Sequence, residues 1–86
     1  GTGKVEASIL IIDEIEQTLA KARVKSDNIV IKAHPFITSY VNKGWFNSQR
    51  KTWAKQFDCK LAVEEDTTYH LLQYRFFNNK MKVITT

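Results

Sequence analysis

The sequence predicts an α+β fold, a two-layer sandwich with the element order α-β-α-α-β-β and a three-stranded mixed sheet. Three observations lead to this prediction. Residues 6–24 carry apolar side chains at helical spacing. Two short runs, 29–33 and 60–65, have the composition and alternation of strands, and two short amphipathic segments separate them. With 86 residues the chain suits one domain, so we assign 1–5 to a flexible linker and 6–86 to a single small domain.

Residues 6–24 are predicted to form the first helix, with one apolar face. The face expected to be buried carries Ser8, Ile11, Ile12, Ile15, Leu19 and Ala22. The opposite face carries Glu14, Gln17 and Lys21. Ile9 and Leu10 lie off the main apolar stripe. They are either ordinary exposed side chains or part of a surface that packs on an upstream domain or on another copy of the chain.

The middle of the chain predicts a strand followed by two helices. Ile29–Ala33 is apolar and largely β-branched, which is typical of a central strand. Pro35 favours the first position of a second helix, with His34 near its cap. Asn47 or Ser48 is suited to cap a third helix that runs to Phe57. The side chains expected to be buried on these two helices are Phe36, Ile37, Tyr40 and Val41, then Phe46, Trp53 and Phe57, with Gly44 as the stop between them.

The last third of the chain predicts two more strands, at Lys60–Glu65 and His70–Phe77. In the second of these, Leu72, Tyr74 and Phe76 would share one face. The turn between the two strands is short, so we expect them to pair as an antiparallel hairpin. Met81–Ile84 is a candidate for a short fourth edge strand. The helices are expected to cover one face of this sheet.

Composition restricts the class of protein. The net charge is +4 and the positive excess lies after residue 24, which favours weak attraction to nucleic acid. The longest apolar run, Ile9–Ile12, is too short to cross a membrane. A single cysteine, Cys59, can form neither an internal disulfide nor a zinc site alone. The expected compartment is therefore the cytoplasm.

No group of residues in the sequence has the pattern of a catalytic site or a metal site, so no catalytic residue, metal ligand or cofactor is predicted within this chain. The acidic residues are interpreted as solvated surface, the histidines as capping or edge residues, and the cysteine as an inert, half-buried thiol. The residues weighed in this way are Asp13, Glu14, Glu16, Glu64, Glu65, Asp66, His34, His70 and Cys59.

One cluster is a candidate for RNA contact, because basic side chains mixed with aromatic ones can bind phosphates and stack on bases. Its members are Lys43, Trp45, Arg50, Lys51 and Lys55. Trp45 is the aromatic side chain that we expect to be exposed. The alternative is a packing or protein-contact surface. The strand–helix–helix–strand order also resembles the K-homology RNA-binding core, although the interhelical loop Gly44-Trp45-Phe46-Asn47 lacks the second glycine of that module's GXXG clamp.

The ordered set of segments resembles the C-terminal part of the ribonuclease E/G family. Gly1-Thr2-Gly3-Lys4-Val5, followed by a helix with Ile11, Asp13 and Glu14, is similar to the segment after that family's Cys-Pro-x-Cys zinc link. The strand-to-helix step at 29–41, then Trp53-Ala54-Lys55, Lys60–Glu65 and Gln73-Tyr74-Arg75-Phe76-Phe77, continue the resemblance in order.

This resemblance implies a division of labour. The family's magnesium-binding aspartates, S1 domain, 5′-monophosphate pocket and zinc link all lie upstream of the matching segment. The chain would then be a non-catalytic small domain that supports homo-oligomer assembly and contacts RNA, with magnesium and zinc bound elsewhere in the parent endoribonuclease. The alternatives are an independent K-homology-like RNA-binding module and a pure protein-interaction domain.

Overall fold

The structure is a computed structural model that describes residues 2–43 and 48–86, with side chains described from Ile9 onward. Its elements are α1 (Thr2–Lys25), β1 (Asn28–Ala33), α2 (Pro35–Asn42), α3 (Gln49–Gln56), β2 (Lys60–Glu65) and β3 (Tyr74–Phe77). The predicted α+β class and element order are confirmed. Helix α1 begins at Thr2, so residues 2–5 are helical where the sequence suggested a flexible linker. Within the described ranges, no helix is long and apolar enough to cross a membrane.

Strand β1 lies at the centre of the sheet, as predicted, and the strand order is β2-β1-β3. Strand β2 pairs with β1 in parallel, with Val63 opposite Ile31, because the α2–α3 crossover returns the chain to the same end of the sheet. Strand β3 pairs with β1 antiparallel, with Phe76 opposite Ile31. The predicted β2–β3 hairpin is therefore wrong. β1 is the most apolar strand, and the central position buries it best.

The start of β3 and the fourth strand also differ from prediction. β3 begins at Tyr74, four residues later than expected, and Leu72 lies before it with 54% of its surface exposed. Turns formed by Tyr69 N–H with the Asp66 carbonyl and by Gln73 N–H with the His70 carbonyl occupy the intervening segment. At the C-terminus, Val83 makes a single bridge to Phe77 rather than a strand.

The core lies between the helices and one face of the sheet. The predicted buried face of α1 is confirmed for its five apolar members, Ile11, Ile12, Ile15, Leu19 and Ala22. They pack in one cluster with the inward-facing strand residues Ile29, Ile31, Ala33, Leu61 and Phe76, and with Trp53 of α3. Ser8, predicted for the same face, lies outside the residues whose side chains are described.

Helix α2 begins as predicted but buries a different stripe. Pro35 occupies its first turn, and the His34 Nδ1 atom accepts a hydrogen bond from the Phe36 N–H at 3.1 Å. Its buried residues are Ile37, Thr38 and Val41. Phe36 and Tyr40, predicted to be buried, are 36% and 48% exposed. Thr38 can be buried because its hydroxyl donates to the Pro35 carbonyl.

Helix α3 is short and is held at both ends by local hydrogen bonds. Ser48 is the N-cap, and its hydroxyl accepts from the Lys51 N–H. At the other end the Cys59 N–H bonds to the Ala54 carbonyl and the Asp58 N–H to the Lys55 carbonyl, which is a Schellman motif. Asp58 takes the left-handed conformation (φ 49°) that this motif requires. The predicted stop Gly44 and the predicted core residue Phe46 lie outside the described residues.

Candidate nucleic-acid interface

The basic cluster predicted for RNA contact lies on the end of α2 and on the outer surface of α3. Lys43 is the C-cap of α2 and is exposed, and Lys51 and Lys55 are exposed on α3. Residues four positions apart lie one above the other on a helix, so the last two share a face, separated by about 6 Å. Trp45, the aromatic member of the cluster, lies outside the described residues.

Trp53 fixes the orientation of this helix. It is fully buried, and its indole N–H donates to the Glu16 carboxylate at 3.0 Å, which links α3 to α1. Since one side of α3 is anchored in this way, Lys51 and Lys55 are directed away from the core. The helical segment itself contains no acidic residue.

Arg50 has a role that the sequence did not indicate. It is half-buried, and its Nη1 donates to the Leu61 carbonyl at 3.4 Å. The Asn42 amide donates to the Val63 carbonyl at 3.3 Å. The even-numbered residues of β2 form the hydrogen bonds to β1. The carbonyls of Leu61 and Val63 therefore point the other way, to the free edge of the sheet. Arg50 and Asn42 therefore cover an edge that would otherwise be open to another strand.

The outer face of the sheet holds a second basic and aromatic group, which sequence reasoning missed. Lys32 of β1 lies beside Arg75 of β3 in the strand register, and Phe77 is in the neighbouring row. The Lys32 Nζ lies 5.4 Å from the centre of the Phe77 ring, which is a cation–π distance. Lys60 extends the group along β2, and Glu64 is its acidic member, opposite Lys32. Alternation within β1 was the available signal, but the sequence left open which strand lies beside β1.

No family model, curated protein or solved structure matches this chain.

Three of the titratable side chains considered for catalysis form hydrogen bonds that support the fold. His34 caps α2, Glu16 accepts from Trp53, and the Asp66 carboxylate accepts from both the hydroxyl and the N–H of Thr68. These two hydrogen bonds from Thr68, with a smaller contribution from Lys32, hold the pKa of Asp66 below its ordinary value. Among the side chains that the structure describes, in residues 9–43 and 48–86, no three from His, Cys, Asp or Glu come close enough together to hold a metal ion.

Cys59 lies in an open, mainly polar cleft of about 420 Å³ between the end of α3 and the start of β1. Arg23 lines this cleft, and its Nε–H group donates hydrogen bonds to the Phe57 and Asp58 carbonyls at 2.9 and 3.2 Å. Burial raises the pKa of the Cys59 thiol and outweighs the opposing effect of the Arg23 charge. A raised pKa disfavours the thiolate, which is the reactive form of a cysteine.

Proposed function

We propose that this chain is a non-catalytic C-terminal domain of a ribonuclease E/G-type endoribonuclease, and that it supports assembly of the enzyme and contacts RNA. The observation that carries the proposal is the ordered resemblance described above. Its segments fall in order on the β1–α2 step, α3, β2 and β3, which are consecutive elements of the fold.

In this proposal the chemistry of RNA cleavage belongs to the upstream region. Magnesium held by aspartates would supply the hydrolytic step there, and zinc would join the protomers. This chain would contribute surfaces for assembly and RNA contact to an enzyme of the cytoplasm. Its polar side chains at helix ends and strand edges, such as His34, Arg50 and Asp66, are already engaged in holding the fold.

An apolar surface supports the assembly role. Ile9, Leu10 and Leu72 are 51%, 71% and 54% exposed, and Leu10 and Leu72 line a shallow cleft of about 190 Å³ together with Ile11 and Glu14. Neighbouring exposed apolar side chains are characteristic of a surface that another protein covers.

Two basic surfaces support the RNA role. The first consists of Lys43, Lys51 and Lys55 at the α2–α3 end of the domain. The second is the Lys32, Arg75 and Phe77 group on the outer face of the sheet. Phosphate contacts from lysine and arginine give affinity that falls steeply with salt, and an aromatic ring on an open sheet adds stacking on bases.

The coding sequence upstream of Gly1 tests the family assignment. We expect two cysteines in Cys-Pro-x-Cys order within about ten codons of Gly1, followed by the Gly-x-Gly sequence that starts this chain. An initiator methionine directly before Gly1, or an upstream sequence without this motif, would refute the assignment.

RNA binding is tested by fluorescence anisotropy of the 86-residue chain with single-stranded RNA at low and moderate salt. Reversing Lys51 and Lys55 to Glu should weaken binding at least tenfold if the α3 surface is used. The matched control reverses Lys80 and Lys82, which are exposed in the C-terminal turn. Reversing Lys32 and Arg75 tests the sheet surface. Equal effects of all three double variants, or no binding at low salt, would reject the RNA role.

A further inference from the structure

The outward face of α1 has a pattern that is nearly symmetric about its middle. Taking 100° per residue, Leu10, Glu14, Lys21 and Val24 all lie within about 60° of the direction of Gln17. All five of these residues are exposed, and the buried residues of α1 lie on the other side of the helix. We call this set the α1 stripe.

The two ends of the α1 stripe are apolar. Leu10 is 71% exposed and Val24 is 87% exposed, the highest values among the large apolar side chains of the described residues. Each is seven residues from Gln17, which places them about 10 Å away on either side. Removal of such side chains from water is favourable, so a partner that covers both ends at once would gain binding free energy from each.

The two charged residues between these ends have opposite signs. Glu14 lies on the N-terminal side of Gln17 and Lys21 on the C-terminal side, and both are displaced to the same flank of the stripe. A two-fold axis that runs beside Gln17, perpendicular to the helix and parallel to its outer face, therefore brings the basic end of one copy of the stripe against the acidic end of another. The small, exposed side chain of Ala20 lies near this centre and would let two backbones approach closely.

We propose that the partner of the α1 stripe is a second copy of this chain, packed antiparallel across a two-fold axis at Gln17. Leu10 would then pack against the partner subunit's Val24, and Glu14 would pair with the partner subunit's Lys21. Each contact occurs twice, as an isologous interface requires. This dimer specifies the assembly role proposed above, and its occurrence within a larger enzyme rests on that proposed function.

Charge complementarity favours a second copy over an unrelated apolar partner. Coverage of Leu10 and Val24 alone would require only an apolar surface, whereas an acid three residues before Gln17 and a base four residues after it suit this chain itself. The cleft lined by Leu10, Ile11, Glu14 and Leu72 extends the apolar end beyond the helix. Two helices make a small contact area, so we expect a weak dimer with a Kd on the order of 10–100 μM.

Charge reversal with sedimentation equilibrium of the 86-residue chain tests the proposal. Glu14→Lys and Lys21→Glu should each weaken dimerisation about tenfold, because each variant places like charges together at both symmetric positions. The double variant exchanges the charges and should restore wild-type affinity. Lys80→Glu, at an exposed lysine in the C-terminal turn, is the matched control and should leave dimerisation unchanged. Circular dichroism checks that each variant remains folded.

A chain that stays monomeric at several hundred micromolar would overturn the proposal, as would a dimer that the two single reversals do not weaken. Recovery in the double variant cannot arise from unfolding, so it would identify the interface directly. The outcome is separable from that of the family assignment. A monomeric chain downstream of a Cys-Pro-x-Cys motif would reject only this interface, whereas a charge-sensitive dimer without the motif would reject only the assignment.

Discussion

The hydrogen bond between Trp53 and Glu16 provides a sensitive test of how α3 is attached to the rest of the domain. The indole N–H is in a fully buried side chain and donates to the Glu16 carboxylate at 3.0 Å, across 37 positions of the sequence. Glu16→Ala removes the acceptor and leaves the N–H without its partner. Glu16→Gln is the matched control, since an amide oxygen can accept in the same place.

The expected loss can be estimated from the geometry. Hydrogen bonds to a charged group contribute about 1.5–3 kcal/mol. Glu16 is half-buried, so water can replace part of the bond, and we expect Glu16→Ala to lower the free energy of unfolding by about 1.5 kcal/mol. A domain of this size is stable by roughly 4–13 kcal/mol, so the change is measurable without unfolding the chain. It corresponds to a decrease in Tm of about 6–12 °C. Glu16→Gln should cost less than about 0.7 kcal/mol.

Urea denaturation followed by far-ultraviolet circular dichroism measures these changes without depending on Trp53 fluorescence. Trp53→Phe and the double variant Glu16→Ala/Trp53→Phe complete a double-mutant cycle, in which we expect a coupling free energy of about 1 kcal/mol. Equal losses for Glu16→Ala and Glu16→Gln, or a coupling energy near zero, would show that the bond does not hold α3 in place.

Three further predictions concern single side chains. Asp58→Gly should raise the free energy of unfolding by about 0.5–1 kcal/mol in urea denaturation, because glycine adopts the positive φ of this position without strain; a loss of stability would contradict this. Arg50→Ala should lower the free energy of unfolding by about 1 kcal/mol, since it leaves the Leu61 carbonyl on an open strand edge; an unchanged urea midpoint would assign Arg50 to another role. The depressed pKa of Asp66 contributes stability that is complete above its unfolded pKa of about 3.9 and is lost as the pH falls through the lower folded value. Asp66→Asn should therefore reduce the dependence of Tm on pH between about 2 and 5, and an acid limb identical to wild type would refute this.

The features predicted correctly from the sequence are those set by neighbours along the chain. The buried face of α1 follows from residues three and four positions apart, and Leu19 and Ala22 lie where this spacing places them. The starts of α2 and α3 follow from Pro35 with its preceding histidine and from Ser48, whose hydrogen bonds close over two or three residues. Such interactions depend on local geometry alone.

The candidate site could be predicted only in part. The sequence shows that Lys51 and Lys55 share a face of a helix, and both are exposed in the structure. It did not show that Arg50 bonds to β2, because this depends on the crossover that brings the edge of β2 beside α3. Lys32 and Arg75 are neighbours for a similar reason, although they are 43 positions apart and the register of the sheet alone joins them.

The sequence by itself determined the class of the fold, the order of its elements and the two faces of α1, including the pattern of apolar and charged residues on its outer side. Only the tertiary structure decided that β3 pairs with β1 rather than β2, that Glu16 accepts a hydrogen bond from Trp53, and that Leu72 lies beside Leu10. The physical reason is that the signals for helices and their caps involve residues only a few positions apart. The pairing of strands depends instead on which distant apolar surfaces bury each other best, which no local pattern records.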